Sequence, residues 1–264
     1  MQHNDMPLSW VLDDYDLDEF LRVAADFDAN SFGYVVTPNV DHLIRYHYEP
    51  SFRALYAGAS FVLLDSRFLS HVFRLYKGVR VRVCTGSDLT ERLFEQVIAP
   101  DDKIVLIGCD SEHVNILRQR YGLKNLRHYN PPMGFIRDRH QVETCVQFVE
   151  EHSPFRFCFL AVGAPQQEIL AEALKVRGVA RGMALCIGAS INFLTGAERR
   201  APRWMQRIGM EWLFRLIQNP GRLARRYLVR GLRVFRLIRA TQLVIRPNKS
   251  LHGSVGERAK VPMI

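Results

Sequence analysis

Apolar and polar positions over residues 1–190 fall into short apolar runs that alternate with stretches in which the apolar residues recur every three to four positions. The runs predict strands at Pro7–Leu12, Gly33–Thr37, Ser60–Leu64, Val79–Thr85, Lys103–Ile107, Asn125–Tyr129, Arg156–Val162 and Met183–Ile187. The stretches between them predict helices over Leu17–Phe27, Val40–His47, Phe68–Tyr76, Asp88–Ile98, Ser111–Tyr121, Gln141–His152 and Pro165–Arg177. Strands separated by helices of this length need crossover connections, so they pair in parallel. The predicted fold class is α/β: a Rossmann-like open, mostly parallel sheet with helices on both faces.

The pattern changes from Arg203 onward. Trp204–Leu216 reads as an amphipathic helix stopped near Asn219 and Pro220, and a second helix is predicted from Gly221 to about Ile245. On that second helix Arg222, Arg225, Arg226, Arg230, Arg233 and Arg236 share one broad face. Leu223, Tyr227, Val234, Phe235 and Ile238 fill the other. A basic face backed by an aromatic and aliphatic one describes an interfacial membrane helix. The plainer reading is a helix docked on the body with its arginines in water. Beyond Pro247 the chain reads as a loose polar tail.

Charge sharpens this division. Thirteen arginines lie between Arg199 and Arg246 and Glu211 is the only acid there, so this stretch carries +12 of a total of +9 and the rest of the chain is −3. A cation that concentrated seeks phosphate, on nucleic acid, on a lipid headgroup or on a substrate. No RNP, helix-turn-helix or zinc pattern accompanies it, and Leu223, Phe235 and Ile238 would have no role on DNA. The longest apolar runs fall far short of the roughly 20 residues of a transmembrane helix. The acidic N-terminus has no signal-peptide pattern, so the chain is expected to stay in the cytoplasm. The five cysteines show no CxxC spacing and read as idle or buried thiols, and the nine histidines are dispersed.

Several predicted strands end in glycine or small polar residues before a helix: Thr37-Pro38-Asn39, Thr85-Gly86-Ser87, Gly108-Cys109-Asp110, Gly163-Ala164-Pro165 and Gly188-Ala189-Ser190. Open α/β sheets bind ligands beyond the carboxyl ends of their strands, where glycine lets backbone approach phosphate. Neither GxxxxGK[ST] nor a complete GxGxxG occurs, which disfavours kinase-type and dinucleotide-dependent oxidoreductase readings.

Five segments together resemble the WecG/TagA/CpsF glycosyltransferases (glycosyltransferase family 26). They are VVTPNVDHL at 35–43, TGSDL at 85–89, NPPMGF at 130–135, VGAPQQE at 162–168 and IGASINFLTGAERRAPRWMQRIGMEWLFRLIQNPGRLARRYL at 187–228. The resemblance implies inverting transfer of a hexose-type sugar from a UDP-sugar to a polyprenyl-diphosphate-linked saccharide, in bacterial surface polysaccharide or exopolysaccharide synthesis. It implies no cofactor and no metal, and peripheral attachment to the inner face of the cytoplasmic membrane. The expected organisation is a catalytic domain at 1–200, a basic helical appendage at 201–246 for membrane and acceptor, and a tail at 247–264. A homo-oligomer is allowed and no nucleic-acid partner is expected; the alternative is a non-catalytic or nucleic-acid-binding protein that keeps the fold.

Inverting transfer needs a carboxylate to take the acceptor proton, and Asp65 follows the apolar run ASFVLLD. On the residues alone Asp65 reads more readily as the cap of the following helix; the resemblance makes it the general base, with Thr37 beside it. The resemblance places Asn39, Arg82, Gly86, Gly163, Gln167, Gly188 and Asn192 around the donor, although turn-forming or capping roles explain several of them equally. Arg215, Arg222, Arg225 and Arg226 are the candidates for the acceptor diphosphate, because guanidinium pairs phosphate oxygens bidentately. Three positions depart from the family. Ser66 stands where glycine is usual, Val83 where arginine is usual (with Arg82 beside it), and Asn192 where aspartate is frequent.

Overall fold

The computed structural model describes residues 8–218, 221 and 233–248. In chain order the larger elements are β1 (Leu8–Asp14), α1 (Leu17–Ala25), β2 (Phe32–Val36), α2 (Val40–Tyr48), α3 (Pro50–Ala57), β3 (Phe61–Val62), α4 (Arg67–Lys77), α5 (Gly86–Arg92), β4 (Ile104–Ile107) and α6 (Ser111–Tyr121). There follow β5 (Leu126–Tyr129), α7 (Arg139–Glu151), β6 (Phe157–Leu160), α8 (Gln166–Arg177), β7 (Gly182–Cys186), α9 (Ser190–Leu194), α10 (Arg203–Arg207), α11 (Glu211–Gln218), α12 (Arg233–Ala240) and β8 (Thr241–Pro247).

Six strands form one parallel sheet in the order β3-β2-β7-β6-β4-β5. Their side chains alternate between two cores. Tyr34, Val36, Val105, Ile107, Cys158 and Leu160 pack with α2, α3, α4, α7 and α8, whereas Val35, Ile104, Leu106, Phe157 and Phe159 pack with α1, α5, α6 and α9. With both faces covered, every position outside the edge strand β5 is apolar or glycine, which is why these strands read as continuous runs. Each large side chain so buried contributes roughly 1.5–3 kcal/mol.

The expected α/β architecture holds, with four differences. Val79–Thr85 alternates like a strand but joins no ladder. Its polar groups are taken locally instead: Ser70 Oγ donates to Val81 O at 2.6 Å, and Cys84 N–H donates to Leu64 O at 3.1 Å. The helix α3, opened by Pro50 at its first position, is additional. The helix expected over Trp204–Leu216 is two helices, broken at Gly209, whose φ is +76°.

The fourth difference lies in the second basic helix. Residues 222–232 are outside the described residues, and the helix that follows ends at Ala240 rather than Ile245. The β-branched run Thr241–Pro247 then forms β8, parallel to β1, with Leu8 opposite Thr241 and Asp14 opposite Pro247. Thr241 stops the helix by donating its hydroxyl to Leu237 O at 2.7 Å, and His47 Nε2 lies 2.8 Å from the same hydroxyl. Asp13 then ties three strands together. Its carboxylate accepts both Arg246 guanidinium contacts, at 2.7 and 2.6 Å, and the Val62 N–H at 2.7 Å.

The apolar face of α12 is therefore spent on the body. Val234, Leu237 and Ile238 are buried against α2 and α4. For Arg233–Ala240 this corrects the interfacial-membrane expectation in favour of a docked helix.

Candidate active site

Adjacent strands β2 and β7 lead into helices on opposite faces of the sheet, α2 into one core and α9 into the other. Such a divergence opens a crevice at the carboxyl ends of the strands. The Thr37–Asn39 turn stands on one side of it and Gly188 on the other. Thr37 crosses at its base, donating its hydroxyl to Cys186 O at 3.1 Å.

Asp65 is brought to the same place by backbone pairing, its N–H donating to Pro38 O at 2.8 Å. It is not the helix cap. Ser66 has the extended backbone of an N-cap, and its hydroxyl accepts the Leu69 N–H at 3.1 Å. The serine that replaces the usual glycine thus takes over capping. Gly86 closes the third side, where an added Cβ would stand 3.0 Å from Thr37 Oγ1.

Gly163 and Gly188 both have left-handed backbone, and a Cβ at either would meet nothing within 4 Å. Conformation rather than crowding asks for glycine here, and the space above each is open. The side chains behind them are cross-linked. Gln167 accepts the Gly188 N–H on Oε1 at 2.8 Å and donates from Nε2 to Glu168 Oε1 at 2.8 Å. Asn39 caps α2, accepting the Asp41 N–H at 3.0 Å, with His42 Nδ1 at 3.0 Å from the same oxygen. Both residues stand at the crevice, with their amide oxygens engaged inside the protein.

Two other candidates are placed differently. Arg82 is held by the carboxylates of Asp14, Asp16 and Glu19 at the β1–α1 junction, at 3.1, 3.6 and 2.6 Å, and also donates to the Asp14 carbonyl, so its charge is committed there. Asn192 donates to Glu198 Oε1 at 3.4 Å and lies 3.9 Å from the Cys109 thiol. Cys109 has φ +73°, the only positive value at a non-glycine among the described residues. Burial pushes its thiol up to about 11, with Asp110 adding to the shift, so it is no thiolate nucleophile at neutral pH. Arg222, Arg225 and Arg226 lie outside the described residues; Arg215 is on α11, and its side chain is likewise outside the description.

Sequence reasoning missed the cations that do face this region. Arg67 Nη2 is 3.0 Å from Asp88 Oδ2, and Arg200 Nη2 is 2.6 Å from Asp88 Oδ1. Burial works to raise the Asp88 pKa, but Arg200, Thr85 and Arg67 together hold it below the usual carboxylate range. One aspartate thus joins the segment after Asp65, the Gly86 turn and the start of the arginine-rich stretch. Gly209 adds a backbone contact, since a Cβ there would stand 2.9 Å from Phe68 N. The clue available in sequence was only that Asp88 follows Gly86 closely and Arg200 lies at the start of the basic block. Among the described residues no cluster of three or more His, Cys, Asp or Glu could hold a metal ion.

The profile of the glycosyl transferase WecG/TagA/CpsF family matches residues 7–248. Over 203 residues the chain is 26% identical to an N-acetylglucosaminyldiphosphoundecaprenol N-acetyl-β-D-mannosaminyltransferase of Bacillus spizizenii, covering 75% of this chain and 76% of that one. The chain belongs to the WecG/TagA/CpsF family of glycosyl transferases.

Proposed function

We propose that this member of the WecG/TagA/CpsF family transfers a hexose-type sugar, with inversion, from a UDP-sugar to a polyprenyl-diphosphate-linked saccharide at the inner face of the cytoplasmic membrane, in making a surface or extracellular polysaccharide. The observation that supports it best is the convergence of Asp65 on the Thr37–Asn39 turn, with capping handed to Ser66. In this reading the Asp65 carboxylate takes the proton of the acceptor hydroxyl. That oxygen bonds to the anomeric carbon as the bond to UDP breaks on the opposite side, and UDP leaves with the electron pair.

The donor lies across Gly163 and Gly188, and Thr37 and Asn39 line the crevice floor. Arg67 and Arg200 join the donor set, because the Asp88 they share lies at the Gly86 turn. Arg215, Arg222, Arg225 and Arg226 are assigned to the acceptor diphosphate on guanidinium chemistry. No resident metal is invoked, since arginines offset the diphosphate charge. Membrane attachment is assigned to α10 and α11, where Trp204, Ile208 and Ile217 are 63, 51 and 67% exposed beside the exposed Arg199, Arg203 and Arg207. Among the described residues no helix is long and apolar enough to cross a membrane.

The test is UDP release across a panel of UDP-hexoses, UDP-N-acetylmannosamine included, with a polyprenyl-diphosphate N-acetylglucosamine acceptor. Asp65→Asn is expected to bind UDP and lose turnover by about a hundredfold or more; the wild type is expected to keep its rate in EDTA. A wild-type rate in Asp65→Asn would place the base elsewhere.

A further inference from the structure

We propose that Glu168 is a positioning residue that, through His42 and Gln167, fixes the loops after β2 and β7 against each other from beneath the crevice. What those loops bind rests on the glycosyl-transfer reading; the pinning itself does not.

Glu168 is 0% exposed, on the inner side of the first turn of α8. A carboxylate removed from water costs several kcal/mol unless donors surround it, so a helix that only needed to pack would carry leucine here, as it does at Leu170 and Leu174. The donors it has are all directed towards the site. Oε1 accepts from Gln167 Nε2 at 2.8 Å and faces His42 Nε2 at 3.3 Å, while Oε2 has no hydrogen-bond partner among the described residues.

From that single oxygen two arms run outward. One goes through Gln167 Oε1 to the Gly188 N–H at 2.8 Å, on the loop after β7. The other goes through the His42 ring to the Asn39 backbone N–H, whose nitrogen is 3.4 Å from Nδ1. A proton on Nε2 satisfies the carboxylate and leaves Nδ1 to accept the Asn39 N–H, which completes the reciprocal cap of α2. The chain Asn39–His42–Glu168–Gln167–Gly188 therefore spans the crevice and joins the loops after β2 and β7 to the first turn of α8. His42 and Gln167 are themselves 6 and 3% exposed, so water does not compete with these bonds.

The arrangement predicts that Glu168 governs the geometry of the crevice more than the stability of the fold. Amide hydrogen exchange at Gly188 and Asp41 reads the two arms directly, because each N–H is held by a side chain of the network. Glu168→Ala is expected to speed exchange at both amides by about tenfold or more while central-strand amides such as Val105 keep their protection. In turnover it should lower kcat by about ten- to a hundredfold, with a smaller change in KM for the UDP-sugar, as expected when binding persists but alignment is lost. Glu168→Gln keeps an acceptor without the charge and should fall between. The pair His42→Gln with Glu168→Gln should lose no more than the worse single change, since either one cuts the same arm.

If Glu168→Ala does not fold, Glu168→Gln and His42→Gln carry the same measurements. Wild-type exchange at both amides would overturn the proposal. So would additive losses in the double variant, or faster exchange spread evenly over the sheet. A wild type that turns over no UDP-sugar, with variants that still loosen Gly188 and Asp41 selectively, would uphold the pinning and sink the transfer reading instead.

Discussion

The α10–α11 stretch and the α12–β8 stretch, both drawn from the arginine-rich C-terminal quarter, use their apolar residues in opposite ways. In Arg203–Gln218 the large apolar side chains Trp204, Ile208 and Ile217 face outward, while Met205 is buried and Gly209 sits against the backbone of Phe68. In Arg233–Pro247 the residues Val234, Leu237 and Ile238 are in the core, and Arg239 lies over the Tyr76 ring at 5.7 Å. Both stretches are amphipathic and basic. The lesson is that an amphipathic helix requires its apolar face to be covered without saying by what, and only one of these faces is covered by the protein itself.

The sharpest way to break the comparison is to truncate a buried residue of the second stretch. Ile238→Ala should cost about 2–5 kcal/mol in urea unfolding, as for other cavities in a fixed core, and leave vesicle binding by the folded protein unchanged. A loss of vesicle binding at unaltered stability would return α12 to the membrane.

The converse change is Trp204, Ile208 and Ile217 together to serine. It should alter stability by no more than about 0.5 kcal/mol, yet weaken flotation with anionic vesicles by about tenfold or more, from lost apolar burial. Unchanged flotation would show that this face meets something other than lipid.

A smaller effect is expected where the first stretch is fastened to the body. Asp88→Asn removes the carboxylate shared by Arg67 and Arg200 and should cost about 1 kcal/mol at neutral pH. The folded-state pKa of Asp88 is depressed, so its contribution is complete above the ordinary value of 3.8 and is lost as pH falls through the lower folded value. Wild type and variant should therefore converge in stability as an acid titration passes below 3.8 and through the lower folded value. A gap that persists into acid would mean that shape, not charge, holds the clasp.

The elements that sequence made legible are those whose cause is local. Ser111–Tyr121 has the bounds expected for it, because its period and the left-handed Gly122 that ends it lie within the segment. Glycine at 163 and 188 marked the turns after β6 and β7 for the same reason. Where local signals competed, sequence misled: VRVRV alternates as a strand should, but a strand needs a partner edge, and side chains take its polar groups instead. Asn39 and Gln167 were legible as candidates at strand ends, but not as members of one network, since His42 and Glu168 are 126 positions apart.

The sequence by itself determined the α/β order, the strand ends that carry the crevice and the separation of a nearly neutral body from a basic tail, because period, turn chemistry and charge are properties of neighbouring residues. Tertiary structure alone decided the rest. It stopped a predicted helix at Ala240 and turned Thr241–Pro247 into a strand, because β1, 233 residues away, offered an unpaired edge. It also made Asp88 a clasp and Glu168 a pin, because a buried charge takes its meaning from the donors that folding brings around it.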